Sequence, residues 1–218
     1  MKASREERRT IGPHDGSDLL TLASVASAGV GVCLCVFGLP RLAFFTLVIC
    51  GILDSFDGRF ASSFKRTKVS RVYGAELDSV SDAVAFGCQP ACLLLSCARG
   101  TAWLWCAVVV CAAYLVCAVR RLAWFGALDR TGLADGGFVG VPVTYAALVL
   151  PVVVAIAQLL GLGAYTAQVL TLALVALSAG FVANVPVRRP GTKVILTLAV
   201  VALVCALFIA LAPGAWSA

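Results

Sequence analysis

The sequence predicts an all-α integral membrane protein, a polytopic helical bundle of about six core transmembrane helices plus one extra. Of its 218 residues, 61% are hydrophobic, and the mean hydropathy of +0.99 is far above that of a soluble domain. Seven apolar stretches approach or exceed the roughly 20 residues that a helix needs to cross a bilayer. They are Leu19–Leu39, Leu42–Phe60, Leu77–Ala98, Thr101–Val119, Val141–Leu162, Ala164–Val185 and Val194–Ala212.

Basic residues give these stretches one orientation. With the N-terminus in the cytoplasm, all of the 17 Lys and Arg except Arg41 and Arg99 fall on inner segments. This positive-inside pattern predicts a multi-pass protein of the cytoplasmic (inner) membrane. The net charge of +6 then faces anionic lipid headgroups, and no nucleic acid partner is expected.

The chain divides into a tail and one domain. Residues 1–17 are polar and predict an N-terminal cytoplasmic tail, and residues 18–218 predict a single transmembrane domain. We expect a turn at Gly38–Pro40 and a cationic loop from Ser62 to Tyr73, with the third span beginning near Gly74. The later connections are expected at Arg99–Gly100, Phe125–Val141, Gly161–Gly163 and Val185–Gly191.

The ten cysteines do not predict a disulfide framework or a zinc site. All of them lie within or at the ends of apolar stretches, where a free cysteine behaves as a small hydrophobe. No histidine or second cysteine pair completes a zinc-binding set beside Cys88 and Cys92.

Four aspartates at the inner ends of the second and third stretches are the main functional candidates. Asp54 and Asp57 are three residues apart, and Asp78 and Asp82 are four apart, so each pair shares one face of its helix. Four carboxylates in one small volume cannot all ionise without a cation among them, and oxygen ligands suit Mg²⁺ or Mn²⁺. The alternative is that they are solvated or paired with Arg59, Lys65 or Arg71.

Small residues accompany the aspartates. Gly58 follows Asp57, Ala61 lies a turn later, and Gly74 lies one turn before Asp78. Glycine lowers helix stability by about 1 kcal/mol relative to alanine, so we expect these positions to clear space for a ligand. Close packing between helices is the alternative reading.

The array Asp54-x-x-Asp57-Gly58-x-x-Ala61 … Gly74-x-x-x-Asp78-x-x-x-Asp82 resembles the signature of the CDP-alcohol phosphotransferase family. The arginine that follows the alanine in that signature is Ser62 here. Three further segments resemble the phosphatidylserine synthase branch, and Asp18 and Thr21 fall near a family N-x-x-T. The three segments are GAELDSVSDAVAFGCQPA, RLAWFG from Arg121 and FVGVPV from Phe138.

The resemblance implies transfer of a phosphatidyl group from CDP-diacylglycerol to an alcohol, here L-serine, with release of CMP. It implies that Asp54, Asp57, Asp78 and Asp82 hold divalent metal, as two ions of Mg²⁺ or Mn²⁺, and that Asp82 is also the general base. It further implies a cytidine pocket lined by Asp57, Gly58, Ala61 and Gly74, with the site facing the cytoplasm.

Two sets of basic residues complete the expected site. Arg59, Lys65 or Arg66 can replace the missing signature arginine at a CDP phosphate. Serine carries a carboxylate, so its pocket needs a cation, for which Arg121 is the candidate and Arg120 is next. Both arginines can instead simply set the orientation of the fourth span.

Three alternatives stay open at this stage. The acceptor can be inositol phosphate, glycerol phosphate or another alcohol, and a lipid other than diacylglycerol can carry the CDP. A cation transporter is a different class, but its ion path would need polar residues on several spans, and the last three are almost purely apolar. Family members often form homodimers, so a dimer is a further possibility.

Overall fold

The computed structural model describes residues 18–62, 67–131, 138–184, 186–187 and 191–211. Helices dominate these ranges, and a two-residue antiparallel pairing joins β1 to β2, with Phe138 opposite Val187. The elements in chain order are α1 (Leu19–Val36), α2 (Pro40–Ser62), α3 (Lys68–Asp82), α4 (Gln89–Ala98), α5 (Leu104–Thr131), β1 (Phe138–Val139), α6 (Ala146–Leu159), α7 (Thr166–Val182), β2 (Pro186–Val187) and α8 (Thr192–Leu211).

The fold class predicted from the sequence is confirmed: the protein is a polytopic helical membrane protein. Within the described ranges, five helical segments are long and apolar enough to cross a bilayer, and a shorter apolar helix covers Val143–Leu159. The remaining long helix, α2, has 23 residues and carries Asp54 and Asp57 near its C-terminal end. The predicted acidic stretch is therefore a helix of the bundle.

The third helix begins earlier than predicted. It starts at Lys68, where the hydroxyl of Thr67 accepts a hydrogen bond from the Ser70 backbone N–H at 3.1 Å. The predicted loop from Ser62 to Tyr73 is thus wrong over residues 68–73, because a polar cap can start a helix before its apolar part begins. Asp78 consequently lies in the third turn of α3.

Three consecutive helical segments form a continuous rod from the aspartates to the opposite end of the bundle. α3 continues without a break through a π-helical turn, Ala83–Cys88, into α4. A π-helical turn is wider than an α-helical turn and is often found at functional sites. Here it follows Asp82 directly.

The α5 helix also extends beyond its predicted end. It continues to Thr131, so the interruption predicted from Phe125 starts later than expected. Residues 132–137 lie outside the described residues.

A buried polar contact ties α1, α2 and α4 together. The Gln89 side-chain amide donates hydrogen bonds to the Ala43 carbonyl at 3.0 Å and to the Thr46 hydroxyl at 2.6 Å. Gly31 on α1 faces this pair, and a methyl group at its Cα would collide with both the Gln89 amide and the Thr46 hydroxyl. Close approach of α1 therefore depends on glycine at this position, as is usual where membrane helices pack tightly.

We expect Gly31→Ala to lower the free energy of unfolding by roughly 1–3 kcal/mol, because the added methyl group displaces a buried and fully bonded amide. Thermal unfolding in detergent measures the effect. Gly29→Ala on the same helix is the matched control, since nothing lies within 4 Å of the methyl group it would add. Equal unfolding midpoints for the two variants would contradict the packing argument.

Candidate active site

Three carboxylates meet at one end of the bundle. Asp54 on α2 and Asp78 and Asp82 on α3 each offer one oxygen, and these oxygens all lie within 4.8 Å of one another. The three side chains are half-buried between the helices. Oxygen donors at this separation suit a hard divalent cation such as Mg²⁺ or Mn²⁺, so the residues present fit the metal that the sequence predicted.

Asp57 lies beside this cluster but is not one of the three. Its carboxylate lies close enough to those of Asp78 and Asp54 for their like charges to repel one another. Its Oδ2 accepts a hydrogen bond from the Thr21 hydroxyl at 3.4 Å. All four predicted aspartates are thus neighbours, while three of them present oxygens to a common point.

The first helix closes one side of the site. Thr21 on α1 reaches Asp57, and the Thr21 carbonyl accepts a hydrogen bond from the buried Ser81 hydroxyl at 3.4 Å. Ser81 immediately precedes Asp82, so α1 contacts both aspartate-bearing helices. The sequence offered one signal for this role, the partial N-x-x-T match at Asp18 and Thr21.

Tyr114 on α5 supports the π-helical turn after Asp82. Its hydroxyl is buried and donates a hydrogen bond of 2.6 Å to the Phe86 carbonyl, and its ring packs on Phe181 with centroids 5.5 Å apart. Sequence reasoning missed this residue, because a single tyrosine in an apolar stretch is indistinguishable from an ordinary core residue.

Arg121 on α5 is buried. Its Nη2 donates to the Gly140 carbonyl at 3.4 Å, and its guanidinium carbon stands 4.6 Å from the centre of the Phe125 ring. Its Nε is buried without a hydrogen-bond partner among the described residues, and it interacts electrostatically with Asp82. Arg120, the adjacent candidate, is exposed.

Gly140 shapes the arginine's surroundings. It has a φ of 80°, and a Cβ there would lie 3.1 Å from the Ala183 carbonyl and 3.2 Å from the Gly180 carbonyl. Only glycine adopts this conformation at no steric cost. The Gly140 carbonyl can therefore reach Arg121 while its chain packs against the end of α7.

The other predicted site residues lie on α3, at the end of α2 or outside the described residues. Gly74 lies within α3, one turn before Asp78. Gly58 and Ala61 lie near the end of α2, where the backbone is described but the side chains are not, and the same holds for Arg59. Lys65 and Arg66 lie outside the described residues.

An apolar cavity of about 180 Å³ opens beside Asp54. It lies between α2, α6 and α8, and its walls are largely aliphatic. Asp54 therefore belongs both to the carboxylate cluster and to the wall of this apolar cavity. The lining residues nearest to Asp54 in the sequence are Gly51, Ile52 and Ser55.

The chain matches a known protein family. The family model for CDP-alcohol phosphatidyltransferases matches residues 17–180, which include all four aspartates and Arg121. The chain belongs to the CDP-alcohol phosphatidyltransferase family. The match ends before α8.

Individual relatives carry related names. A CDP-diacylglycerol–serine O-phosphatidyltransferase of Methanocaldococcus jannaschii is 34% identical over 134 residues, or 62% of this chain and 57% of that protein. One of the same name from Mycobacterium leprae is 32% identical over 65% of this chain and 47% of its own length. An archaetidylserine synthase of Methanothermobacter thermautotrophicus is 28% identical over 60% of this chain and 54% of its own. The matched segments thus span about half the length of these relatives.

In this CDP-alcohol phosphatidyltransferase family member, we expect Tyr114→Phe to destabilise the bundle by about 1–3 kcal/mol. The substitution leaves the buried Phe86 carbonyl without its hydroxyl donor, at little cost in volume. Thermal unfolding in detergent is the measurement, and Tyr165→Phe, at an exposed tyrosine, is the control. An unchanged midpoint for Tyr114→Phe would show that this hydrogen bond does not support the turn.

Proposed function

We propose that the protein transfers the phosphatidyl group of CDP-diacylglycerol to L-serine, giving phosphatidylserine and CMP. The observation that carries the proposal is the set of three carboxylate oxygens within 4.8 Å of one another at one end of an apolar bundle. Membership of the CDP-alcohol phosphatidyltransferase family and the names of two relatives support the reaction and the acceptor.

Asp54, Asp78 and Asp82 would hold Mg²⁺ or Mn²⁺, with Asp57 positioned to complete a site for a second ion. Bound metal would neutralise the pyrophosphate of the donor and the charge that develops on the departing CMP. Asp57 is itself oriented by the hydroxyl of Thr21. The carboxylates that would hold such ions lie on α2 and α3, and α1 contacts both of these helices through Thr21.

Asp82 is proposed to act as the general base. The serine hydroxyl oxygen forms a bond to the phosphorus that bears the diacylglycerol, and the bond from that phosphorus to the oxygen of CMP breaks. The hydroxyl proton moves to a carboxylate oxygen of Asp82, and CMP leaves with the bonding electron pair. A base within hydrogen-bond reach of the attacking hydroxyl typically raises the reaction rate by about 10²- to 10⁴-fold.

Arg121 is proposed to bind the serine carboxylate. Its guanidinium is buried near Asp82 and has an Nε donor without a partner among the described residues. A carboxylate held there would place the serine hydroxyl on the side of Asp82. Arg120 is exposed and is a weaker candidate for the same role.

The donor would approach from the bilayer. The apolar cavity beside Asp54 is suited to part of a lipid chain, while the CDP head lies over the aspartates. Asp57, Gly58, Ala61 and Gly74 are proposed to line the cytidine pocket. Arg59, Lys65 or Arg66 are proposed to neutralise a CDP phosphate in place of the signature arginine.

We infer from the charge pattern that this end of the bundle faces the cytoplasm, within a single domain of residues 18–218. A homodimer remains part of the proposal because the family often forms one. A second donor is also favoured by a specific observation: one relative is named an archaetidylserine synthase, so a CDP-activated ether lipid is a candidate alongside CDP-diacylglycerol.

The function is tested with purified protein, CDP-diacylglycerol and a panel of labelled alcohols. We expect CMP release that requires both L-serine and Mn²⁺ or Mg²⁺, with labelled phosphatidylserine as the lipid product. Inositol phosphate and glycerol phosphate are the competing acceptors, and a CDP-activated ether lipid is the competing donor. Turnover with another alcohol but not with serine would contradict the assignment of serine as the acceptor. Metal-independent ion transport without CMP release would contradict the assignment of the protein as an enzyme.

Two aspartate variants separate base from metal ligand. Asp82→Asn is expected to lower kcat by at least about 10²-fold, because the amide cannot accept the proton, while Mn²⁺ is retained through the remaining oxygens. Asp54→Ala is expected to lose Mn²⁺ binding itself, as measured by calorimetric titration. Near-normal turnover by Asp82→Asn would remove it as the base, and unchanged Mn²⁺ affinity in Asp54→Ala would remove that residue from the ligands.

Arg121→Gln is expected to raise the KM for serine by about ten-fold or more, because a charge-assisted hydrogen bond to the carboxylate is lost. The KM for CDP-diacylglycerol should change much less. Arg120→Gln is the matched control, at the exposed neighbouring position, and a smaller change is expected there. Equal effects of the two variants on the KM for serine would mean that Arg121 does not contact the acceptor.

A further inference from the structure

A second, larger cavity lies at the end of the bundle opposite the aspartates. Its volume is about 530 Å³. Its walls come from the turn between α1 and α2, the turn between α4 and α5, the start of α7 and the last turn of α8. The proposed reaction makes no use of it.

The helices place this cavity far from the candidate active site. At a rise of about 1.5 Å per residue, Arg41 lies roughly 20 Å from Asp54 along α2. Arg99, at the end of α4, lies roughly 25 Å from Asp82 along the continuous rod. A ligand in the cavity therefore belongs to the other leaflet of the bilayer, not to the catalytic end.

Two arginines line the cavity, and none of its described lining residues is acidic. Arg41 and Arg99 are also the two basic residues that the orientation rule leaves on the outer side of the membrane. One edge of the Arg99 guanidinium is fixed, because its Nη1 donates to the Val36 carbonyl at 3.2 Å. A guanidinium has five N–H donors, so others are available to an anion.

The remaining walls have two characters. Gln168 contributes an Oε1 atom that is buried without a hydrogen-bond partner among the described residues. It can accept a hydrogen bond from a hydroxyl or an ammonium group. Most of the other lining residues are apolar or small, among them Leu39, Pro40, Leu42 and Ala167.

We propose that this cavity binds the headgroup of a phospholipid from the leaflet opposite the aspartates. The phosphate is held by Arg41 and Arg99, whose planar guanidinium groups match phosphate oxygens. A hydroxyl or ammonium of the headgroup donates to Gln168 Oε1, and the glycerol and first acyl carbons lie on the apolar wall. Basic pockets between membrane helices on the cytoplasmic side bind the headgroups of anionic lipids, and this cavity offers the same chemistry to the other leaflet.

The test is native mass spectrometry of the full chain in detergent, titrated with dihexanoylphosphatidylglycerol. One saturable adduct is expected whose dissociation constant rises about ten-fold or more in the double variant Arg41→Gln/Arg99→Gln, since two charge-assisted contacts are lost. The matched control is Lys68→Gln/Arg71→Gln, which removes the same charge from exposed positions on α3. It should leave that adduct within about two-fold of the starting affinity.

The active-site end can also hold a lipid, so a second adduct is compatible with the proposal if it does not depend on Arg41 and Arg99. Ala164→Trp provides an independent variant, because it fills the cavity without changing its charge and should also weaken the first adduct. Each variant is compared only as a monodisperse, folded preparation.

Three outcomes would overturn the proposal. Equal affinity in the arginine variant and its control would mean that the cavity does not recognise phosphate. Equal binding of dihexanoylglycerol, which lacks the phosphate, would reduce the cavity to an apolar pocket. Full displacement of the lipid by inorganic phosphate at equal concentration would indicate a site for free phosphate rather than for a lipid.

Discussion

The repulsion among four carboxylates inside an apolar bundle is the constraint on which the rest of the structure depends. Asp54, Asp57, Asp78 and Asp82 are brought together by two helices, and like charges at such distances are unfavourable without a cation between them. The protein places them there with support from a third helix, through Thr21. Ionisable side chains inside a membrane protein commonly mark functional sites.

Single polar side chains support the segment around the cluster. Gln89 joins α4 to α2, Tyr114 joins α5 to the π-helical turn, and Ser81 joins α3 to α1. In a bilayer, apolar surface gives helices little reason to choose one neighbour over another, so hydrogen bonds and close packing at small residues supply the choice. These contacts surround the segment that carries Asp82, which explains how its position can be fixed.

The two ends of the bundle have opposite character. One end gathers acidic side chains and a buried arginine, while the other has a cavity with two arginines and no acid among its described lining residues. Arg41 and Arg99 are the exceptions to the positive-inside pattern predicted from the sequence. Their guanidinium groups are chemically suited to a lipid phosphate.

The sequence by itself determined the helical membrane fold and the family, because both rest on local patterns. Twenty-residue apolar stretches and carboxylates at three- and four-residue spacing are legible without tertiary contacts. It did not place the start of α3, because a single threonine cap lies outside the apolar pattern.

Only the tertiary structure decided which carboxylates share a point. The spacing treated all four aspartates alike, whereas the packing of α2 and α3 against α1 brings three oxygens together and leaves Asp57 beside them with Thr21. It likewise separated Arg121, which is buried, from Arg120, which is exposed, although they are adjacent in the chain. Contacts between residues far apart in the sequence depend on how helices rotate and cross, and that geometry is set by the whole bundle rather than by any one segment.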